Sequence, residues 1–436
     1  MTQIILLNFL LYLFTTIHFY KKEGLTVFSG LWIYYTIFAA MSLFVMVTGI
    51  YEERFFSYRL DYKSVTIVPY VYMYVTVFLL LLPFKYIKRS GRFLNEKLDN
   101  KAITSIVNLC MYFLIFYTGI KLITFFKFND YSLLERREMS VTGVGFINRD
   151  KNPYFWLLDY MSGIIHTVVY PFIILYVCKY YTLYKIKTKR ALVCVSLCVI
   201  GPCASYFMAS NRSSIFFLFV NIIFFFLLFL NDFSKQTKKG VYKAIIALLI
   251  PLTLYSFFIS KERYEDSDIN MEYGILSYFG EAFPNLGIMV YNNVSMHTFG
   301  MIYFSDYVRL VFDNIPTIED GLTGFYEYWT AITGVRMLVF KTLFGDLYIE
   351  FGEIGAILFM LILSGVMCLF AKKTRCPSFM YYSIMYIYFS FATNAILDFG
   401  LSFGKLYTLR VVIGIIIFNF VIRKLIVTNK KTLFKK

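Results

Sequence analysis

Charge is scarce in this chain and histidine scarcer: 16% of its 436 residues are Asp, Glu, Lys or Arg, and three are His. No G-x-x-x-x-G-K-[ST] and no G-x-G-x-x-G occurs, which excludes a phosphate-cradling ATP loop and a dinucleotide fingerprint; the missing H-E-x-x-H removes the zinc-helix signature. An internal repeat and a Pro-rich or Gly/Ser-rich linker are also missing. The seven cysteines, Cys110, Cys178, Cys194, Cys198, Cys203, Cys368 and Cys376, fall in apolar runs or near their ends, and none lies between 261 and 345. No disulfide framework is implied. Cys194 and Cys198 share a helix face, but without a nearby His or carboxylate they read as packing rather than as a metal site. Lacking an energy-coupling motif, the chain favours a substrate that carries its own leaving group.

What is present is apolar surface. With 59% apolar and 21% aromatic residues and a mean hydropathy of +0.63, the chain has more greasy surface than a water-soluble core can hide. The apolar residues fall in runs long enough for a helix to cross about 30 Å of hydrocarbon. Inside lipid every backbone polar group must be paired, so helices are expected rather than open strands. The runs predict spans at 3–20, 28–50, 64–84, 102–126, 155–178, 191–209, 213–231, 241–260, 350–371, 378–397 and 406–422. The expected fold is an all-α, polytopic transmembrane helix bundle of about eleven spans with a large outer loop subdomain. A twelfth span would arise if the apolar patch Phe283–Phe304 crossed or re-entered the bilayer. The organisation expected is residues 1–260 as spans 1 to 8, residues 261–345 as an extracytoplasmic loop subdomain, and residues 346–436 as spans 9 to 11 with a basic cytoplasmic tail. The first run lacks a basic segment before it and a small-residue cleavage site before Lys21 and Lys22, so it reads as a true span rather than a secretory signal.

The formal net charge of +16 would suggest nucleic acid in a soluble protein. Here the basic residues cluster in short interhelical loops and read as topology signals, with no nucleic acid expected. Assigning alternate loops to one side gathers 26 Lys and Arg there against 15 on the other. The richer side is expected to be cytoplasmic, which puts the C-terminus inside and both the N-terminus and the insert outside.

Ser210-Asn211-Arg212-Ser213-Ser214 separates two spans at the outer boundary. An arginine in a membrane is costly unless something holds it. At a helix start it adds a fixed guanidinium to unpaired N–H groups and a partial positive charge, a ready ligand for a lipid phosphate. Ser210 and Ser213 add hydroxyl donors. The same letters also serve as an ordinary helix start with a snorkelling arginine. In the insert, Arg263, Arg309 and Arg336 offer planar forks for phosphate oxygens, and His297 can take a proton from a sugar hydroxyl. Lys121, Asp159, Asp398, Lys405 and Arg410 lie at outer span ends, with Arg410 the candidate to face a cavity there. His18 and His166, in apolar spans, read as packing residues. Of the many outer carboxylates most are expected to be solvated. Asp266-Ser267-Asp268 has a D-x-D form and Glu52-Glu53 follows the second span, but short acidic pairs arise often by chance. No metal and no cofactor are called for.

Two passages resemble bacterial oligosaccharide repeat-unit polymerases, the O-antigen and capsular polysaccharide polymerases. Ser-Asn-Arg-Ser-Ser before a long apolar span is similar to that family's short S-x-R-S element. Phe344-Gly345-Asp346-Leu347-Tyr348-Ile349-Glu350-Phe351-Gly352-Glu353-Ile354-Gly355-Ala356 is similar to its glycine-punctuated start of the span after the large loop. The resemblance implies a glycosyltransferase of the bacterial inner (cytoplasmic) membrane. It would transfer a growing glycan from polyprenyl diphosphate to the next lipid-linked repeat unit, without a metal. It further implies a polyprenyl-diphosphate-linked oligosaccharide and membrane lipid as partners, with a chain-length regulator and a flippase beside it. Arg212 inherits the diphosphate role, and Arg263, ten residues before Gly274, has an R-x10-G form. An O-antigen ligase is the alternative enzyme. A lipid-linked oligosaccharide flippase or other transporter is the alternative of another class, although paired halves with midplane charges are absent. Gly345, Gly352, Gly355 and Gly365 also read as small residues that let helices pack closely.

Overall fold

The computed structural model describes residues 2–51, 66–88, 100–128, 130–132, 135–136, 153–183, 188–208, 212–264, 276, 279–291, 293–312, 322–337, 341–374, 378–396 and 406–433. The helices in chain order are α1 Thr2–Glu23, α2 Val27–Val47, α3 Val68–Leu81, α4 Asn100–Lys127, α5 Pro153–Leu183, α6 Thr188–Met208, α7 Arg212–Phe229, α8 Lys235–Tyr264, α9 Ala282–Asn285, α10 Ser305–Val308, α11 Leu322–Thr333, α12 Thr342–Lys373, α13 Phe379–Asn394 and α14 Leu406–Leu433. No strand occurs among the described residues. Each of the eleven apolar runs coincides with one of these helices. Seven, namely α1, α2, α3 with its 3-10 extension to Tyr86, α4, α5, α6 and α12, are long and apolar enough to cross a membrane, while Phe216–Phe229 of α7 and Leu406–Ile422 of α14 are shorter apolar stretches.

One departure from the sequence reading and one alternative that it left open are informative. Helix α12, at the ninth expected span, starts at Thr342, eight residues before that span, and carries a non-helical residue, Gly352, with φ 68° and ψ −177°. The patch Phe283–Phe304 is not a spanning helix: it holds α9, a π turn over Leu286–Val290 and then turns. Phe299 and Gly300 both take positive φ, 51° and 95°, which no continuing α-helix permits.

The chain divides into two compact units that alternate along the sequence: residues 1–87, 256–373 and 390–406 form one, and residues 88–255, 374–389 and 407–436 the other. In the first, Gly24 at φ +67° closes α1, its N–H donating to the Tyr20 carbonyl at 2.9 Å. Thr26 and Ser29 then cap α2 reciprocally, through Ser29 N–H to Thr26 Oγ1 at 3.1 Å and Thr26 N–H to Ser29 Oγ at 2.8 Å. The resulting hairpin closes on a buried pair of hydroxyls, Thr16 and Thr36, 2.7 Å apart, and on an aromatic core of Tyr12, Trp32 and Tyr35. Helix ends leave carbonyls without intrahelical partners. Those at the end of α13 are taken by phenols of α2: Tyr35 donates to Ala392 at 2.7 Å and Tyr34 to Thr393 at 2.9 Å. Tyr35→Phe keeps the ring and strands one carbonyl. It is expected to lower unfolding free energy in detergent by about 1–2 kcal/mol, read by chemical unfolding; an unchanged midpoint would mean another donor serves Ala392.

In the second unit α4, α5 and α6 pack together. A Cβ on Gly201 would stand 2.5 Å from the Tyr117 ring, so only glycine permits this approach of α6 to α4. Pro202 has no N–H to give the Cys198 carbonyl four residues earlier. His166 of α5 bonds that carbonyl through Nε2 at 3.1 Å and stacks on Tyr117 at 4.5 Å. This is the packing role the sequence suggested for His166. Cys194 lies 3.6 Å from the Met111 sulfur, a packing contact.

Candidate functional site

The break at Gly352 organises a polar cluster in the first unit. With φ 68° and ψ −177° the backbone enters a region open essentially to glycine, and the helical hydrogen bonds ahead of it are interrupted. The carbonyls of Ile349 and Glu350 are taken instead by the insert. Thr298 N–H donates to Ile349 at 3.3 Å, Phe299 N–H to Glu350 at 2.8 Å, and the His297 ring contributes Nδ1 to the Ile349 carbonyl at 3.2 Å. A carbonyl only accepts, so Nδ1 is the ring nitrogen that carries a proton toward it. The ring lies over the break, its Nε2 3.3 Å from where a Cβ on residue 352 would stand.

The Glu350 side chain completes the clasp. It is 1% exposed; its carboxylate accepts from the Thr298 hydroxyl, from Gly300 N–H at 2.7 Å, and from the N–H groups of Ile302 and Tyr303. Buried carboxylates need such partners, and the turn from Thr298 to Tyr303 wraps around this one. Beside His297, Tyr348 meets the imidazole edge to face at 5.6 Å and stacks on Tyr291 at 4.6 Å. Tyr291 donates to Glu353 Oε2 at 2.7 Å. Burial first, and then the Glu353 carboxylate, push the Tyr291 hydroxyl well above its ordinary pKa. It therefore remains a donor throughout the neutral range. Six residues before the break, Asp346 forms a buried ion pair with Lys341 at 3.1 Å, and Lys341 also donates to the Met337 carbonyl at 3.1 Å. Asp346 and Glu350 thus stand apart from the solvated carboxylates expected of the outer loops.

The structure places the residues singled out from sequence as follows. His297 is in the clasp. Arg336 is exposed on the turn after α11, and that turn is joined to the His297 segment by Ser295 N–H to Thr333 O at 2.9 Å. Arg309 is half-buried directly after α10, its N–H on the Ser305 carbonyl at 2.9 Å. Arg212 and Ser213 open α7, and Arg263 stands in the last turn of α8; their side chains, and all of Ser210, lie outside the described residues. So do Glu52, Glu53, Asp266, Asp268, Asp398 and Lys405. In the second unit Arg410 is exposed, lies 5.5 Å over the Tyr160 ring and hydrogen bonds the Tyr160 hydroxyl. Lys121 pairs with Asp159 at 2.6 Å. These contacts occupy both cations with partners on α5.

Sequence reasoning passed over Glu350, Gly352, Tyr291 and Tyr348 as a group. The available signal was two acids and a glycine at 350, 352 and 353 inside an apolar run, where a charge is tolerated only if it is held. No family model, curated protein or solved structure matches this chain. Its helices long and apolar enough to span a bilayer make it a membrane protein of all-α type.

Proposed function

We propose that this chain is a glycan polymerase of the bacterial inner membrane, joining repeat units carried on polyprenyl diphosphate at the extracytoplasmic face. The observation that carries the reading is the clasp: His297, in the large insert, is held through Nδ1 on the Ile349 carbonyl with Nε2 against the break that begins the spanning part of α12. A neutral imidazole at a membrane boundary suits removal of a proton from an acceptor hydroxyl. The acceptor oxygen then attacks the anomeric carbon, and the bond to the diphosphate breaks with its electrons leaving on phosphate. Arg212, at the start of α7, is the cation assigned to that leaving group, with Ser210 and Ser213 as donors. Fixed charges aimed at a leaving oxygen act without reorganisation. Arg263, Arg309, Arg336 and Arg410 are further phosphate or sugar contacts in this reading. Eleven spans, with the insert outside, complete it.

Purified protein given synthetic diphosphate-linked repeat units is expected to build ladders in EDTA and without nucleotide. Arg212→Ala should slow them about a hundredfold. Full ladders from Arg212→Ala would remove that residue from the leaving-group role. An absence of ladders from the wild type, with intact single units recovered, would reject polymerisation itself.

A further inference from the structure

We propose that Thr298–Phe312, part of the insert that hydropathy assigns to water, is a re-entrant element seated in the lipid of one leaflet. It is a membrane-contact surface that goes beyond the proposed reaction and does not depend on it. Three observations lead there.

The first is depth. All of α12 is 32 residues, about 48 Å of helix and longer than a bilayer core. From Glu353 to Lys373 it runs about 21 residues, or ~32 Å, which crosses by itself. Gly352 therefore marks one boundary of the hydrocarbon, with Lys372 and Lys373 at the other. Tyr303 and Phe304 have ring centroids 6.0 and 6.5 Å from that of Phe359. Phe359 is seven residues past the break, about 10 Å below it. Asp306 also accepts from Leu406 N–H at 3.2 Å.

The second is backbone accounting. Lipid tolerates irregular backbone only where its polar groups are paired. Every N–H from Thr298 to Ser305 is paired. Thr298 and Phe299 donate to α12 carbonyls, and Gly300, Ile302 and Tyr303 donate to the Glu350 carboxylate. Met301, Phe304 and Ser305 donate to carbonyls within the turn. A loop bathed in water needs no such completeness, and the buried Glu350 supplies three of those acceptor contacts.

The third is the side chains facing outward. Phe299 is 76% exposed, Leu310 73%, Val311 75% and Phe312 59%. On α12, Ile354 is 76% and Leu358 52% exposed as well. A cluster of this size facing water would be an aggregation hazard; facing lipid it is ordinary, and 5–10 Å is the usual depth of interfacial elements.

The test uses the full chain with its cysteines replaced, reconstituted in nanodiscs, with an NBD probe on Phe299→Cys, Val311→Cys or, as an aqueous control, Lys235→Cys. Doxyl-labelled phosphatidylcholine is expected to quench the first two probes severalfold more than the control, and iodide to quench them severalfold less. Either probe behaving like the one at Lys235 would put the segment in water and overturn the proposal. The readout needs no glycan substrate, so its failure and that of the polymerase reading are separable.

Discussion

Replacing Glu350 with alanine is expected to destabilise the first unit by about 3–5 kcal/mol. The carboxylate is the common acceptor for the Thr298 hydroxyl and for the N–H groups of Gly300, Ile302 and Tyr303. Each buried donor left unpaired costs about 1–3 kcal/mol, and the burial cost of the carboxylate itself, no longer incurred, offsets part of the total. Glu350→Gln separates acceptor capacity from shape. Its amide oxygen still serves Thr298 and Gly300, while its NH2 faces the Tyr303 N–H, so the loss should be intermediate, about 1–2 kcal/mol. Chemical unfolding in detergent should therefore rank Glu above Gln above Ala. Equal stability of all three would show that the turn finds other acceptors, and the clasp would lose its centre. Because His297 enters the turn immediately before Thr298, the same series should lower any activity that needs its Nε2 in proportion to lost order.

The helices were legible in the sequence because lipid imposes one rule on every run: about twenty apolar residues, all backbone groups paired within the segment. That rule located all eleven helical runs. It failed where two chemistries share one segment. Residues 342–349 carry Asp346, whose charge makes the stretch read as solvated loop, so the expected span starts only at 350, at Glu350. Their partners, Lys341 and the Thr298–Tyr303 turn, are up to 52 residues distant in sequence, and a window scan sees no long-range partner. The patch Phe283–Phe304, kept in the insert, poses the opposite case. Its apolar letters are as long as a span, yet Phe299 and Gly300 at positive φ bend it back. His297 was picked for its titration range alone; its tautomer follows from the Ile349 carbonyl, which no local pattern encodes. The phosphate-binding assignment of Arg212 still rests on its letters and on its position at the start of α7.

Gly352→Ala is expected to cost about 2–6 kcal/mol and to displace His297, whereas Gly365→Ala should change little. The two glycines lie in one helix and look alike in sequence, where both fit a small-residue packing stripe. Their surroundings differ. Around Gly365 nothing described comes within 4 Å of a Cβ, so an added methyl meets open space in a helical backbone and no packing role is served there. At Gly352 the backbone sits at φ 68°, ψ −177°, a conformation that costs an L side chain about 1–3 kcal/mol. The methyl would also stand 3.3 Å from His297 Nε2, and overpacking of this kind adds about 1–3 kcal/mol. That strain favours a return of residue 352 toward helical φ and ψ. That closes the break and returns the Ile349 carbonyl to the N–H of Glu353, removing the acceptor that fixes the His297 tautomer. With three histidines in the chain, 15N spectra of the imidazoles can be assigned by single substitution. Wild type should show one ring protonated at Nδ1 that is lost in His297→Gln, and Gly352→Ala should shift that ring toward the Nε2-protonated form common in water. A Gly352→Ala spectrum identical to wild type, with stability unchanged, would mean that the break is not what holds His297.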